Sequence, residues 1–272
     1  MTGNVGATGR TGAVHVERDA AVLRLCLDRP AARNAMTPDM VETVVHALTA
    51  AASDDSLRAV HITGSGSDFC GGADWVATNS GDRRPRSGDL VRRIPHTAHR
   101  IIELVADIHL PVVCSVRGWA VGLGCNLALV ADFTVAADDA VFWEPFTARG
   151  FSPDSGSTWL LPRLVGVARA RRMLLLGEKV AAPEAADWGL IHDCVAADDL
   201  DAAAGELVDR LADGPTVALG FAKDAINHSH GGSLAEAMHS ELRALEISCR
   251  THDFKEGLAA FRERRAPGFS GR

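Results

Sequence analysis

At 272 residues, 47% hydrophobic and 23% charged, the chain has the composition of a globular protein able to bury one sizeable core. Its net charge of −7 argues against general nucleic-acid binding, and no apolar run approaches the roughly 18 residues that a membrane span needs. Six cysteines stand without C-x-x-C spacing and eleven histidines form no H-E-x-x-H pair, so free thiols in a reducing cytoplasm and no metal site are expected.

The first residues, MTGNVGATGRTGA, lack the apolar segment of a secretory signal, and 1–12 reads as a frayed tail. Residues 13–17 and 21–27 read as strands joined by a turn at Arg18-Asp19-Ala20. Thr37 is a good N-cap and Pro38 suits the first helical position, which predicts a helix to about residue 52. A buried strand is expected over 57–63. After 69–75 comes a polar insert, 77–86, containing Arg83, Arg84 and Arg86. An amphipathic helix with Ile94, Ile101, Ile102, Leu104 and Val105 follows, then an apolar strand at 111–116. From residue 157 the pattern is mostly helical. Strands alternating with helices in the first half predict an α/β fold with largely parallel pairing, and a helical region from about residue 201.

Two short runs carry the chemistry. Arg117-Gly118-Trp119-Ala120-Val121-Gly122-Leu123-Gly124-Cys125-Asn126 reads as a strand end, a Gly-rich turn and a helix start, which aims free backbone N–H groups at an anionic oxygen. It is not a dinucleotide fingerprint, because Leu127 stands where the third glycine belongs. The second run, Gly150-Phe151-Ser152-Pro153-Asp154-Ser155-Gly156, sets one carboxylate among small residues. It lacks the closing glycine of a nucleophile elbow, and Pro153 would distort one. An oxyanion cradle and a lone acid or base are the minimum equipment for chemistry beside a thioester carbonyl. In a third run, Phe69-Cys70-Gly71-Gly72-Ala73-Asp74, two glycines permit either a tight turn or a close approach to a ligand.

These runs occur in order with Arg29-Pro30-Ala31-Ala32-Arg33-Asn34-Ala35-Met36, with Pro153-Asp154 through Gly166, with Ala185–Ile191 and with Glu256–Arg265. Together, over 13–272, they resemble the crotonase superfamily of enoyl-CoA hydratases and isomerases. The resemblance implies a spiral of ββα units over 13–200 and a C-terminal helical trimerisation region over 201–272. It implies an acyl-CoA thioester substrate, with coenzyme A as part of the substrate and no prosthetic group, and a homotrimer or hexamer. By motif position the oxyanion donors are the N–H groups of Ala73 and Leu123. Ala32 and Arg33 match the coenzyme A path beside Gly71, Gly72 and Asp74, and Phe261 and Arg264 match residues that reach a neighbouring subunit's coenzyme A. Trp75, Trp119 and Trp143 line the acyl pocket or pack in the core.

The hydratases of the superfamily use two glutamates. Their positions here hold Asn126 and Phe146, neither of which transfers a proton, and Phe146 makes that wall of the pocket apolar. Asp154, after Pro153, is similar to the acid of the family's double-bond and ring-epoxide isomerases, where one carboxylate moves a proton between two carbons. It is also a candidate N-cap for a helix over 155–164, and dehalogenases of the superfamily use an aspartate here as nucleophile. Glu144 either shares a face with Phe146 and reaches the pocket or is a surface carboxylate. Three functions remain: a double-bond isomerase using Asp154, a hydratase (lyase) of fatty-acid or aromatic-acid degradation using Asp154 or Glu144, and a non-catalytic acyl-CoA-binding protein.

Overall fold

A computed structural model describes residues 12–74, 87–229 and 231–272. Residues 1–11 of the proposed tail, Trp75 and the arginines at 83, 84 and 86 lie outside the described residues. Among those described, six strands form one sheet in the order β1 (Ala13–Asp19), β2 (Val22–Asp28), β3 (Ala59–Gly64), β4 (Val112–Val116), β6 (Phe133–Ala137), β9 (Asp193–Val195). β1 pairs with β2 antiparallel and the other neighbours are parallel. A second sheet joins β5 (Trp119–Val121), β7 (Val141–Trp143) and β8 (Lys179–Ala181). Residues 111–121 therefore hold two strands of different sheets, where the sequence suggested one strand entering the Gly-rich turn. Gly118, at φ 54, makes the break.

Strand alternation divides the core. Val60, Ile62, Val112, Cys114, Val116 and Ala136 face one side, against α1 (Pro38–Ala51), α3 (Ala98–Asp107) and α4 (Leu123–Val130). Helix α1 starts as expected: Thr37 Oγ1 accepts from Met40 N at 3.3 Å, and Met40, Val41, Val44, Ala47 and Leu48 give it an inward stripe. Between α1 and α3 lies the short α2 (Asp89–Arg93). Helix α4 is apolar all round and sits in the centre of the molecule; Leu123 through Leu129 are all buried. The other strand positions, Val22, Ala59, Val113, Val135 and Ala137, pack against α7 (Leu200–Ala212). The boundary expected near residue 201 thus falls within a helix that covers the sheet.

The span α5 (Ser157–Leu175) is two helical stretches separated at Gly166, which takes the non-helical φ 76 and ψ 162. α6 (Ala182–Trp188) precedes β9. α8 (Thr216–Ser229) is fastened to the core by Lys223, whose Nζ donates to Val105 O at 2.7 Å, Leu110 O at 3.2 Å and Asp132 Oδ2 at 2.8 Å. α9 (Leu234–Ser248), with a Ser233–Glu236 capping box, buries none of its residues, and α10 (His252–Glu263) follows. No helix among the described residues is long and apolar enough to cross a membrane.

His61 on β3 shows how burial constrains the sheet. Arg24 Nη1 donates to its Nδ1 at 2.9 Å, so the ring proton sits on Nε2, which donates to Ser115 Oγ at 2.6 Å. Burial and then the charge of Arg24 lower its pKa to about 4. An unfolded histidine titrates near 6.5, so on acidification the unfolded chain takes up this proton first. Stability falls as pH drops from about 6.5 to about 4, by about 3 kcal/mol from this residue. Denaturant unfolding across that range should show the loss, and His61→Gln should flatten the slope; an unchanged slope would contradict the assignment.

Candidate active site

The loop 69–74 is stitched between two others. Cys70 N donates to Trp119 O at 2.9 Å and Val121 N to Cys70 O at 2.9 Å. On the other side, Gly71 N donates to Arg33 O at 2.7 Å, Met36 N to Gly72 O at 2.8 Å and Asp74 N to Met36 O at 3.0 Å. The Met36–Ala73 bridge uses the polar groups of residues 72 and 74, so the Ala73 N–H turns to the opposite side. Gly72 takes φ +94, and a Cβ there would lie 2.7 Å from Val121 O and 3.7 Å from Leu123 N. That close approach brings Ala73 beside the start of α4.

Gly122 (φ 53, ψ −118) turns the chain into α4. Its N–H donates to Trp143 O at 2.9 Å, and its C=O accepts from Asn126 N at 2.8 Å and Asn126 Nδ2 at 3.2 Å. Leu123 is the first helical residue, so its N–H has no acceptor within the helix. Among the hydrogen bonds of the described residues, neither the Ala73 nor the Leu123 N–H has a partner. Two donors from two loops therefore border one space, and an anionic oxygen is the kind of acceptor that such a pair fits. The Leu123 side chain, 4% exposed, belongs to the core.

The space is a cavity of about 350 Å³ whose walls include Gly72, Ala73, Leu123, Phe146, Phe151 and Asp154. Phe146 and Phe151 meet edge-to-face at 5.5 Å, and Phe151 N donates to Phe146 O at 3.1 Å. These contacts fold the acid loop back onto the cavity wall. Among the described residues, Asp154 is the carboxylate on that wall. Ser155 Oγ donates to Asp154 Oδ1 at 2.8 Å, while Ser155 N donates to His99 Nε2 at 3.2 Å. Ser155 is 3% exposed and takes φ 53, a conformation uncommon for a residue with a Cβ. Nothing in the residue pattern signals His99, which lies far from Asp154 along the chain.

Helix α5 begins at Ser157, not at residue 155. The Asp154 main-chain O accepts from Ser157 N at 3.1 Å and Ser157 Oγ at 3.0 Å. Its side chain caps nothing and is directed to Ser155, which corrects the N-cap reading. Glu144 departs from both sequence readings. It is 0% exposed, so it is not a surface carboxylate, and it does not line the cavity. Strand β7 ends at Trp143, so the shared face of residues i and i+2 does not extend to Glu144 and Phe146. Burial, first, drives the Glu144 carboxyl well above the usual carboxylate range.

Gly71 also lines the cavity, while Ala32, Arg33, Asp74, Trp119, Phe261 and Arg264 do not. The Asp74 carboxylate pairs with Arg29 Nη1 at 2.6 Å and braces the 69–74 loop. Arg33 lies over the Trp119 ring at 5.5 Å, and Lys179 lies over both Trp119 and Trp143. Ala32 closes the turn Pro30–Ala32. Phe261 is 84% exposed on α10, and Arg264 is the residue that ends that helix. Among the described residues no three His, Cys, Asp or Glu side chains are placed to hold a metal ion.

Gly72→Ala tests the contact between the two loops. A Cβ at positive φ, set against Val121 O, should lower the unfolding free energy by about 2 kcal/mol or more in denaturant titration. A loss below about 0.5 kcal/mol would mean that the loops do not approach this closely.

The sequence pattern of the family described as enoyl-CoA hydratase/isomerase matches residues 17–272. The chain is 35% identical over 258 residues to the 1,2-epoxyphenylacetyl-CoA isomerase of Escherichia coli (strain K12), covering 95% of this chain and 97% of the relative. It is 34% identical over 257 residues to the 2,3-dehydroadipyl-CoA hydratase of the same organism, covering 94% and 98%. The crystal structure of an enoyl-CoA hydratase from Polaromonas sp. JS666 superposes with a TM-score of 0.89 at 31% identity, covering 95% of this chain and 100% of that one. With this match in sequence and in fold, the chain belongs to the enoyl-CoA hydratase/isomerase family of the crotonase superfamily.

Proposed function

We propose that this enzyme shifts a double bond in an enoyl-CoA, with Asp154 as the only proton carrier and the Ala73 and Leu123 N–H groups as the oxyanion hole. One observation carries the reading: among the described residues lining the cavity, Asp154 is the carboxylate, and it shares the wall with Ala73 and Leu123. The thioester oxygen accepts from the two N–H groups, each worth roughly 3–4 kcal/mol as negative charge develops there. Ser155 occupies Asp154 Oδ1, so Oδ2 is the oxygen that takes the proton. A C–H bond beside the thioester breaks, its electrons pass to the thioester oxygen as a dienolate, and Asp154 returns the proton to the other end of the conjugated system.

Hydration is the competing reading, since hydratases are among the relatives. It requires groups that orient water and shuttle its proton. Asn126 instead donates to Gly122 O, and Phe146 presents a ring to the cavity. The Phe146–Phe151 wall suits a flat or compact acyl group, and one relative's name carries a phenylacetyl group. Asp154→Asn should abolish deuterium uptake at the substrate's α- or γ-carbon in heavy water. Unchanged exchange would remove Asp154 from the mechanism, and hydration of crotonyl-CoA at an ordinary enzymatic rate would favour the hydratase. Binding without turnover across a thioester panel would leave an acyl-CoA-binding protein.

The enzyme also acts, in this proposal, as a trimer or a pair of trimers. Leu234, Met238, Leu242 and Leu245 form an exposed stripe on α9, and Phe261 stands out on α10. Such a face suits a second copy of the chain, and would carry Phe261 and Arg264 toward a neighbour's coenzyme A beside that neighbour's Ala32 and Arg33. Light scattering on the eluted protein should give three or six chains, and Met238→Glu with Leu242→Glu should reduce the mass; a wild type running as one chain would contradict the proposal.

A further inference from the structure

The cavity that holds Ala73, Leu123 and Asp154 also has Arg92, Arg93 and Arg149 in its wall. The first two come from α2 and the third from the short turn Thr147–Arg149, so positive charge reaches the cavity from two separate segments. Asp89 answers the α2 pair: Arg93 Nε lies 2.9 Å from Asp89 Oδ2, and Arg92 Nη2 lies 3.8 Å from Oδ1. Arg149 has no carboxylate partner among the described residues. Asp154 is the one carboxylate on the described wall, and its Oδ1 is taken by Ser155. Two guanidiniums share one carboxylate and a third has none, so the cavity carries a surplus of positive charge.

Arg149 is held in place by its surroundings. Its backbone N–H donates to Pro145 O at 3.0 Å and Phe146 O at 3.1 Å, and Gly150, at φ 79, closes the turn. Thr147 Oγ1 ties the same turn to Leu174 O at 3.2 Å. The guanidinium carbon lies 5.7 Å from the centre of the Trp143 ring, and that ring is fixed by Nε1 donating to Gly177 O at 2.9 Å. A ring contact attracts the cation without consuming its N–H donors. In the chain Arg149 stands between Phe146 and Phe151, whose rings meet edge-to-face on the cavity wall.

We propose that the cavity selects an acyl group ending in a carboxylate, with Arg149 as the specificity residue that receives it and Arg92 and Arg93 adding to the positive potential. The inference rests on the reading that this cavity takes an acyl-CoA thioester. The thioester oxygen lies in the hole of Ala73 and Leu123, the apolar wall takes the acyl carbons, and Arg149 takes the terminal oxygens. A planar guanidinium can receive both oxygens of a carboxylate side by side, which a neutral end group does not offer. The Arg92 and Arg93 side chains are 63% and 48% exposed, so they keep much of their hydration and the desolvation cost is small. The phosphates of coenzyme A carry the same anionic chemistry, and the test separates the two sources.

The test measures binding to the full-length protein of short saturated acyl thioesters, which do not react. One series ends in a carboxylate and the other in its methyl ester. Each is made on coenzyme A and on pantetheine, which has no phosphate. The acid should bind about tenfold or more tighter than the ester on both carriers, with the preference shrinking as salt is raised. Arg149→Gln should remove most of that preference and leave ester binding unchanged, which also shows that the variant is folded. If Arg149→Gln does not fold, the wild-type preference on pantetheine and its loss in Arg92→Gln with Arg93→Gln decide the matter. Equal binding of acid and ester would leave a solvated rim and overturn the proposal. So would a loss in Arg149→Gln that is equal for acid and ester on coenzyme A and absent on pantetheine, since the cations then hold phosphate. The readout needs no turnover: if Asp154→Asn retains isotope exchange while the acid preference holds, the isomerase reading fails and the carboxylate site stands.

Discussion

The approach of Gly72 to Val121 governs the rest of the site. In the oxyanion hole proposed above, the two N–H groups, of Ala73 and Leu123, come from chain segments about fifty residues apart. A side chain at position 72 would occupy the place of the Val121 carbonyl. Without one, the 69–74 loop can hydrogen-bond to the 33–36 segment on one flank and to β5 on the other. Each backbone group committed to these bonds leaves the Ala73 and Leu123 donors as the uncommitted ones. The donors are preorganised by the fold, so little reorganisation remains for the moment when charge develops.

Among the described residues, the cavity wall carries one carboxylate, Asp154, and three guanidinium groups, Arg92, Arg93 and Arg149, with His96 also on it. The cavity wall is largely apolar, and its one carboxylate among the described residues is held by Ser155 on a strained turn. Other acids near the site are either neutralised or paired. Asp74 is locked to Arg29 and serves the loop that carries Ala73. Glu144 is buried, and burial holds its carboxyl well above the usual carboxylate range. In the proposed reaction, the apolar part of the wall strengthens the attraction between a thioester oxygen and its donors.

Much of this was legible in residue order. Thr37-Pro38 announced α1, the apolar periods announced the parallel sheet and α3, and the glycine at 122 announced a helix start with free donors. The acid at 154 stood out in a loop of Pro, Ser and Gly, with the N-cap of a following helix as its rival use. The failures have a common form. The N-cap reading of Asp154 failed because α5 starts at Ser157, two residues beyond the helix start it assumed. The pocket reading of Glu144 failed because β7 is only three residues long, and the alternation rule ends with the strand. The short strands β5, β7, β8 and β9 lack a detectable period at three residues each, and they exist because the sheets supply partners.

The sequence by itself determined the kind of backbone available: where glycine permits positive φ, where a helix begins, and which single acid stands in a loop of small residues. These properties are local, set by sterics and by the hydrogen-bonding capacity of neighbouring residues. Only the tertiary structure decided which of those pieces meet. It brought Ala73 to Leu123 through the Gly72 contact, folded Asp154 onto the same cavity through Phe151, and buried Glu144 behind it. Such meetings depend on packing between segments far apart in the chain, and burial, unlike backbone preference, is a property of the whole molecule.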